Sequence, residues 1–126
     1  MNELDLNQLS GQIIGGAIAV HRAIGPGLLE SAYEACLAYE LTQAGLHVEK
    51  QKPLPITYRE ITLDVGYRMD MVINQRIIVE LKAVDALAPI HEAQLLSYLK
   101  LSGYKLGLLI NFNVKRLRDG IKRLAN

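Results

Sequence analysis

Between Leu9 and Ile24, Ile13, Ile14, Ala17, Ile18 and Ile24 recur at helical spacing, with His21 on the same stripe. This pattern predicts a first helix with Ser10 as its N-cap, ended by Gly25-Pro26-Gly27. A second helix is predicted from Leu28 to Ala44, with Leu29, Tyr33, Cys36, Leu37 and Leu41 facing inward and Gly45 just past its end. The period then shortens. Leu54 to Tyr58, Ile61 to Ile73 and Ile77 to Val84 are rich in β-branched and aromatic residues, broken at Arg59-Glu60 and Asn74-Gln75-Arg76. They read as a three-stranded antiparallel meander. Pro89 opens a helix through Leu101 that Gly103 stops, and the apolar run from Tyr104 to Phe112 reads as a buried strand. Val114 to Leu124 is predicted as a closing helix. The order α-α-β-β-β-α-β-α implies an α/β sandwich in which helices flank a mixed central sheet of about four strands.

The charges that interrupt these apolar segments are the first hint of chemistry. Asp70 breaks Tyr67 to Ile73, and Glu80 and Lys82 break Ile77 to Val84. Charges rarely stand within core strands unless they are paired or hold a metal. Two residues apart on a strand, Glu80 and Lys82 share a face while Leu81 enters the core. The turn decides the rest. A two-residue turn at Asn74-Gln75 sets Asp70 opposite Val79; a three-residue connection or a bulge sets it opposite Glu80. Facing Cβ atoms then lie about 5 Å apart, and two carboxylates so close repel unless a cation intervenes. Mg²⁺, with Mn²⁺ as a substitute, suits such oxygen ligands, and Lys82 alongside can orient an attacking water or offset charge on phosphorus. The plain structural alternative is an exposed Glu80–Lys82 ion pair on an edge strand, with Asp70 ending its neighbour.

Further groups fall into helical patterns. Gln94 and Tyr98 sit one turn apart on one face, with His91 three residues earlier, and Leu95, Leu96 and Leu99 face the core. An amide and a phenol so placed can bond phosphate oxygens or brace metal ligands; an amphipathic helix with a half-buried tyrosine is the alternative. Glu30 stands in a first helical turn, where it complements the helix dipole. His21 reads more readily as a satisfied core histidine than as a catalyst, and Cys36 as packing.

Composition narrows the setting. The 126 residues, half of them hydrophobic, suit one domain, residues 1–126, with a core that needs no staples. One cysteine excludes an internal disulfide and fits a reducing compartment. The polar, acidic start is unlike a secretory leader, and no apolar stretch reaches the roughly 18 residues that cross a bilayer, so a cytoplasmic protein without a membrane partner is expected. Fourteen Lys and Arg against thirteen Asp and Glu give +1 overall. However, Lys115, Arg116, Arg118, Lys122 and Arg123 crowd the C-terminal segment, either as a solvated helix face or as a phosphate-tracking patch.

Together, Gly27-x-x-Glu30-x-x-Tyr33, Asp70, Glu80-Leu81-Lys82 and Gln94-x-x-x-Tyr98 resemble the GxxExxY family of the PD-(D/E)XK nuclease superfamily. The likeness runs from about Ile13 to Asn113, including Ile24-Gly25-Pro26-Gly27, His91-Glu92-Ala93-Gln94 and Leu109-Ile110-Asn111-Phe112. The resemblance implies a restriction-endonuclease-like fold and a Mg²⁺ site on two middle strands. It makes Asp70, Glu80 and the Leu81 carbonyl metal ligands, Lys82 the catalytic lysine and Glu30 an accessory acid and further ligand. Gln94, Tyr98, Tyr33 and His21 would bind substrate or support the site. The function so implied is a Mg²⁺-dependent phosphodiesterase acting on DNA more readily than RNA. The competing reading is a non-catalytic nucleic-acid- or protein-binding module on the same fold. A homodimer with Tyr39 or Tyr104 in its apolar patches is compatible with either.

Overall fold

The computed structural model describes residues 4–126 and is built around a five-stranded mixed sheet. Helix α1 (Leu6–Ile24) starts earlier than the apolar period suggested, because Asp5 rather than Ser10 caps it. The Asp5 carboxylate accepts the Gln8 N–H while the Gln8 amide oxygen accepts the Asp5 N–H, a reciprocal box that satisfies two otherwise orphaned donors. Ser10 lies inside the helix, buried, and its hydroxyl donates to the Asn7 carbonyl. Helix α2 (Glu30–Gln43) begins two residues later than expected; Leu29 caps it and stays 77% exposed, outside the apolar stripe. Gly45 follows α2 with φ of +86°, the left-handed conformation that a helix exit favours.

Strands β1 (Val48–Pro53), β2 (Ile56–Tyr58), β3 (Ile61–Leu63), β4 (Arg68–Ile73) and β5 (Ile77–Lys82) occupy the middle of the chain. The predicted long strand from Ile61 to Ile73 is two strands, parted near Gly66, whose φ is +84°. β2 and β3 pair only with each other, as a hairpin outside the main sheet. β1 has no apolar period to announce it, because Val-Glu-Lys-Gln-Lys-Pro is polar, as suits an edge strand that must discourage further pairing. Helix α3 (Pro89–Ser102) ends at Gly103 with φ of +82° and carries the chain to β6 (Leu106–Asn111), parallel to β5. The predicted closing helix is instead a short 3₁₀ turn, Leu117–Gly120, and a strand, β7 (Ile121–Ala125), antiparallel to β6. Sheet pairing overrides helical propensity here. β6 is buried along its whole length and its outer edge needs backbone partners, which β7 supplies. Gly120 also fits that turn because a Cβ there would strike the Asn111 carbonyl.

The sheet order β1-β4-β5-β6-β7 puts β4, β5 and β6 in the interior. One face packs on α1 and α2 through Leu9, Ile13, Tyr33, Leu37, Ile73, Val79, Leu81 and Ile110. The other packs on α3 through Val72, Ile78, Leu95, Tyr98, Leu99 and Leu109. A mixed sheet with helices on both faces is the architecture the sequence implied.

Candidate functional site

The β4–β5 turn sets the geometry. Asn74 and Gln75 both take left-handed φ, +52° and +56°, and Ile73 pairs with Ile77 across a three-residue connection. Val72 therefore faces Ile78 and Met71 faces Val79, which puts Asp70 across from Glu80. The ladder's pairing stops at that point. The two acidic side chains take up the backbone donors left behind: Asp70 N–H donates to Glu80 Oε2 at 2.7 Å, and Leu81 N–H to Asp70 Oδ2 at 2.9 Å. On the other side of β4, Gln51 of β1 stands level with Asp70, between the pairs Lys50–Met71 and Lys52–Met69, with a left-handed φ of +51°. Its amide donates to Glu34 Oε1 at 3.0 Å and Asp70 Oδ1 at 3.4 Å.

Burial makes the pair electrostatically costly. Glu80 is only 4% exposed, on an interior strand, so the edge-strand ion pair considered from sequence is not what forms. Desolvation, then the facing Asp70 charge, pushes the Glu80 carboxyl up to about 8. Desolvation raises Asp70 as well, only partly opposed by the Leu81 N–H, with Glu34 adding to the rise. Lys82 eases both carboxylates but does not balance them, and Glu30 adds further negative charge. Such a group must hold either a proton or a cation. Among the described residues no three Asp, Glu, His or Cys side chains converge as a ready-made cage. Mg²⁺ asks for less: one or two carboxylates, with waters and a carbonyl completing its shell. The donor chemistry of Asp70 and Glu80 meets that demand.

Two more elements reach this end of the sheet. Glu30, the first residue of α2, approaches the backbone just past β5, with Ala83 N–H donating to its Oε2 at 3.4 Å. Across the sheet, Lys82, His91, Gln94 and Tyr98 line a groove of about 610 Å³ together with Tyr67 and Ile56. The Gln94 amide donates to the Tyr98 hydroxyl at 3.1 Å. Burial raises the Tyr98 phenol first, and the neighbouring Glu80 charge raises it further, which ties this face of α3 to the acidic pair. His91 is partly committed to structure, its Nδ1 accepting the Ala88 N–H where α3 starts. Leu96, assigned to the core from sequence, is 38% exposed.

Other candidates lie apart from the acids. Tyr33 is fully buried and stacks on Phe112 with ring centres 4.4 Å apart. Its hydroxyl donates to the Gly25 carbonyl and accepts the Leu28 N–H. It thus fixes the Gly-Pro-Gly turn that precedes Glu30. His21 is a satisfied core histidine whose Nε2 donates to the Val114 carbonyl at 2.7 Å. Tyr104 is half-buried and bonded to Lys52, whereas Tyr39 is 65% exposed. Sequence reasoning missed Glu34 and Gln51, which carry no motif, and the role of Asn111. The buried Asn111 amide clamps the Val84 backbone, donating to its carbonyl at 2.9 Å and accepting its N–H at 3.1 Å. A polar residue closing the apolar run of β6 was the available signal.

A mixed sheet covered by helices on both faces, with an acidic pair on neighbouring interior strands, is the build of a restriction-endonuclease-like protein. The model of the PD-(D/E)XK nuclease superfamily matches residues 7–124, and the chain belongs to that superfamily. Membership points to a nuclease with nucleic acid as its substrate. No curated protein and no solved structure matches the chain.

Proposed function

We propose that this chain is a divalent-metal-dependent phosphodiesterase of the GxxExxY type, cleaving DNA in preference to RNA. The observation that carries this reading is the cross-linked pair Asp70 and Glu80, buried where the β4–β5 ladder opens, with Lys82 next along the strand. In it, Asp70, Glu80 and the Leu81 carbonyl hold Mg²⁺, with Glu30 as a further ligand. Alternation supports the carbonyl, since the Leu81 N–H already turns toward β4. A divalent cation there supplies Lewis-acid stabilisation of charge growing on the phosphate and a more acidic water. Lys82 places its ammonium beside the reacting phosphate, and Gln94 and Tyr98 donate to its non-bridging oxygens from the groove. Neutralisation of the acids by a cation also accounts for two carboxylates kept inside the protein at some cost to stability. The surface of one small core is modest for a duplex, and two paired copies would enlarge it; light scattering at assay concentration measures that state.

The test is cleavage of single-stranded, duplex and branched DNAs, with matched RNAs, in Mg²⁺ or Mn²⁺. Asp70→Asn and Lys82→Ala should each slow cleavage by at least about 100-fold, in the range seen when one charge-stabilising group is lost. Calorimetry with Mn²⁺ should give binding that Asp70→Asn weakens. A wild-type protein that neither binds the metal nor cleaves any substrate would mean a non-catalytic module instead.

A further inference from the structure

The C-terminal cations, one run in the sequence, divide into two groups in the fold. Lys122 pairs with Glu92 at 3.4 Å, and Arg123 donates to Asn7 at 2.6 Å, so both tie β7 to the helices. Lys115, Arg116 and Arg118 instead project from the segment between β6 and β7, where Arg22 of α1 joins them around a cavity of about 300 Å³. All four are exposed, and among the described residues none of them forms an ion pair or a side-chain hydrogen bond. The segment that carries them is fixed. His21 holds the Val114 carbonyl, Leu117 is buried beneath, and Gly120 rests against the Asn111 carbonyl. With that backbone already fixed, an arriving anion has only the four side chains left to order.

Its position matters most. β5 and β6 are parallel with Lys82 level with Asn111, and the Phe112 N–H donates to the Lys82 carbonyl at 2.9 Å. The chain to Lys115 and Arg116 thus leaves the sheet at the same end of the strands as the acidic pair. Even fully extended, it puts Arg116 within about 17 Å of the Lys82 carbonyl, an axial span of roughly five nucleotides of a duplex strand.

From these placements we infer that Arg22, Lys115, Arg116 and Arg118 form a track for the nucleic-acid backbone flanking the phosphate held at Asp70, Glu80 and Lys82. The track rests on the nuclease reading for what happens at that phosphate, but its own chemistry is phosphate binding by unpaired cations and needs no metal.

The test is oligonucleotide binding by fluorescence anisotropy in EDTA over a salt series, on wild type and the triple variant Lys115→Ala, Arg116→Ala, Arg118→Ala. Binding should weaken at least about tenfold at low salt. With a single-stranded oligonucleotide the slope of log K against log salt should flatten by about 2, since each phosphate that a cation no longer neutralises removes about 0.7. Where cleavage is measurable, KM for the oligonucleotide should rise while kcat stays within about twofold. Wild type that fails to bind oligonucleotide, a triple variant with unchanged affinity and slope, or a stronger effect from Lys122→Ala with Arg123→Ala would each overturn the track. Vesicles of phosphatidylserine bound through the same three side chains, without oligonucleotide binding, would also overturn it. Turnover of bis(p-nitrophenyl) phosphate in Mn²⁺ reports on the metal site alone. Failure there with intact oligonucleotide binding counts against the nuclease reading and leaves the track standing.

Discussion

Tyr33 and Tyr98 illustrate how one residue type takes two duties within a single fold. Tyr33 is sealed in the core and spends its hydroxyl on the backbone of the Gly-Pro-Gly turn; Tyr98 keeps its phenol beside Glu80 at the groove. Removing the Tyr33 hydroxyl as Tyr33→Phe leaves the stack on Phe112 and deletes two hydrogen bonds, at a cost of about 1–2 kcal/mol. The melting temperature should fall by a few degrees, with a loss of activity that follows the loosened Glu30. Tyr98→Phe should do the reverse, slowing cleavage with little change in melting. Thermal unfolding and steady-state kinetics on the two variants separate these duties. Equal behaviour of both would refute the division.

At the scale of elements, β6 and its surroundings hold the site in place. Asn111 closes β6, latches Val84 beyond Lys82, and stands against Gly120. Gly120→Ala must push the Asn111 backbone aside, so a destabilisation of about 1–3 kcal/mol is expected, as for other overpacked positions. Slower amide exchange at Val84 than at Asp85 in wild type should disappear with it. This linkage explains what was legible in the sequence. Strands that pair through local turns and carry apolar alternation, β4 and β5, could be read with their facing acids, because the choice between turn lengths had only two outcomes. β1 and β7 could not. Their polar residues carry no apolar period, and what makes them strands is the unmet backbone of β4 and β6, which is non-local information. The candidate site divides likewise: Asp70, Glu80 and Lys82 stand out as charges in apolar runs, while Gln51 and Glu34 matter only through contacts between β1, α2 and β4 that no local pattern announces.

For the whole molecule, the acidic pair couples folding to pH. The Glu80 carboxyl sits near 8 in the metal-free fold against an ordinary 4.5, and Asp70 moves in the same direction. Between those values the native protein holds a proton that the unfolded chain releases, so stability is fully present below about 4.5 and lost as pH rises through 8. The loss from Glu80 is on the order of 5 kcal/mol at most, since each tenfold change in proton affinity corresponds to about 1.4 kcal/mol. In EDTA the melting temperature should decline steadily from pH 5 to about pH 9, and Glu80→Gln should flatten that decline. On the proposed reading, added Mg²⁺ should displace the proton and recover most stability at the alkaline end. A metal-free melting temperature that climbed with pH would contradict the arrangement.

The opening of the β4–β5 ladder also bears on how this protein can change over generations. Asp70 and Glu80 cap the amide groups of Leu81 and Asp70 itself, so they belong to the scaffold as well as to any reaction. Alanine at either place would orphan an amide and confuse a damaged fold with a silenced centre, whereas asparagine or glutamine still offers an oxygen to accept it. A relative without hydrolytic activity would therefore be expected to carry those amides rather than leucine or valine at the two positions, and so to keep the outline of the site without its chemistry.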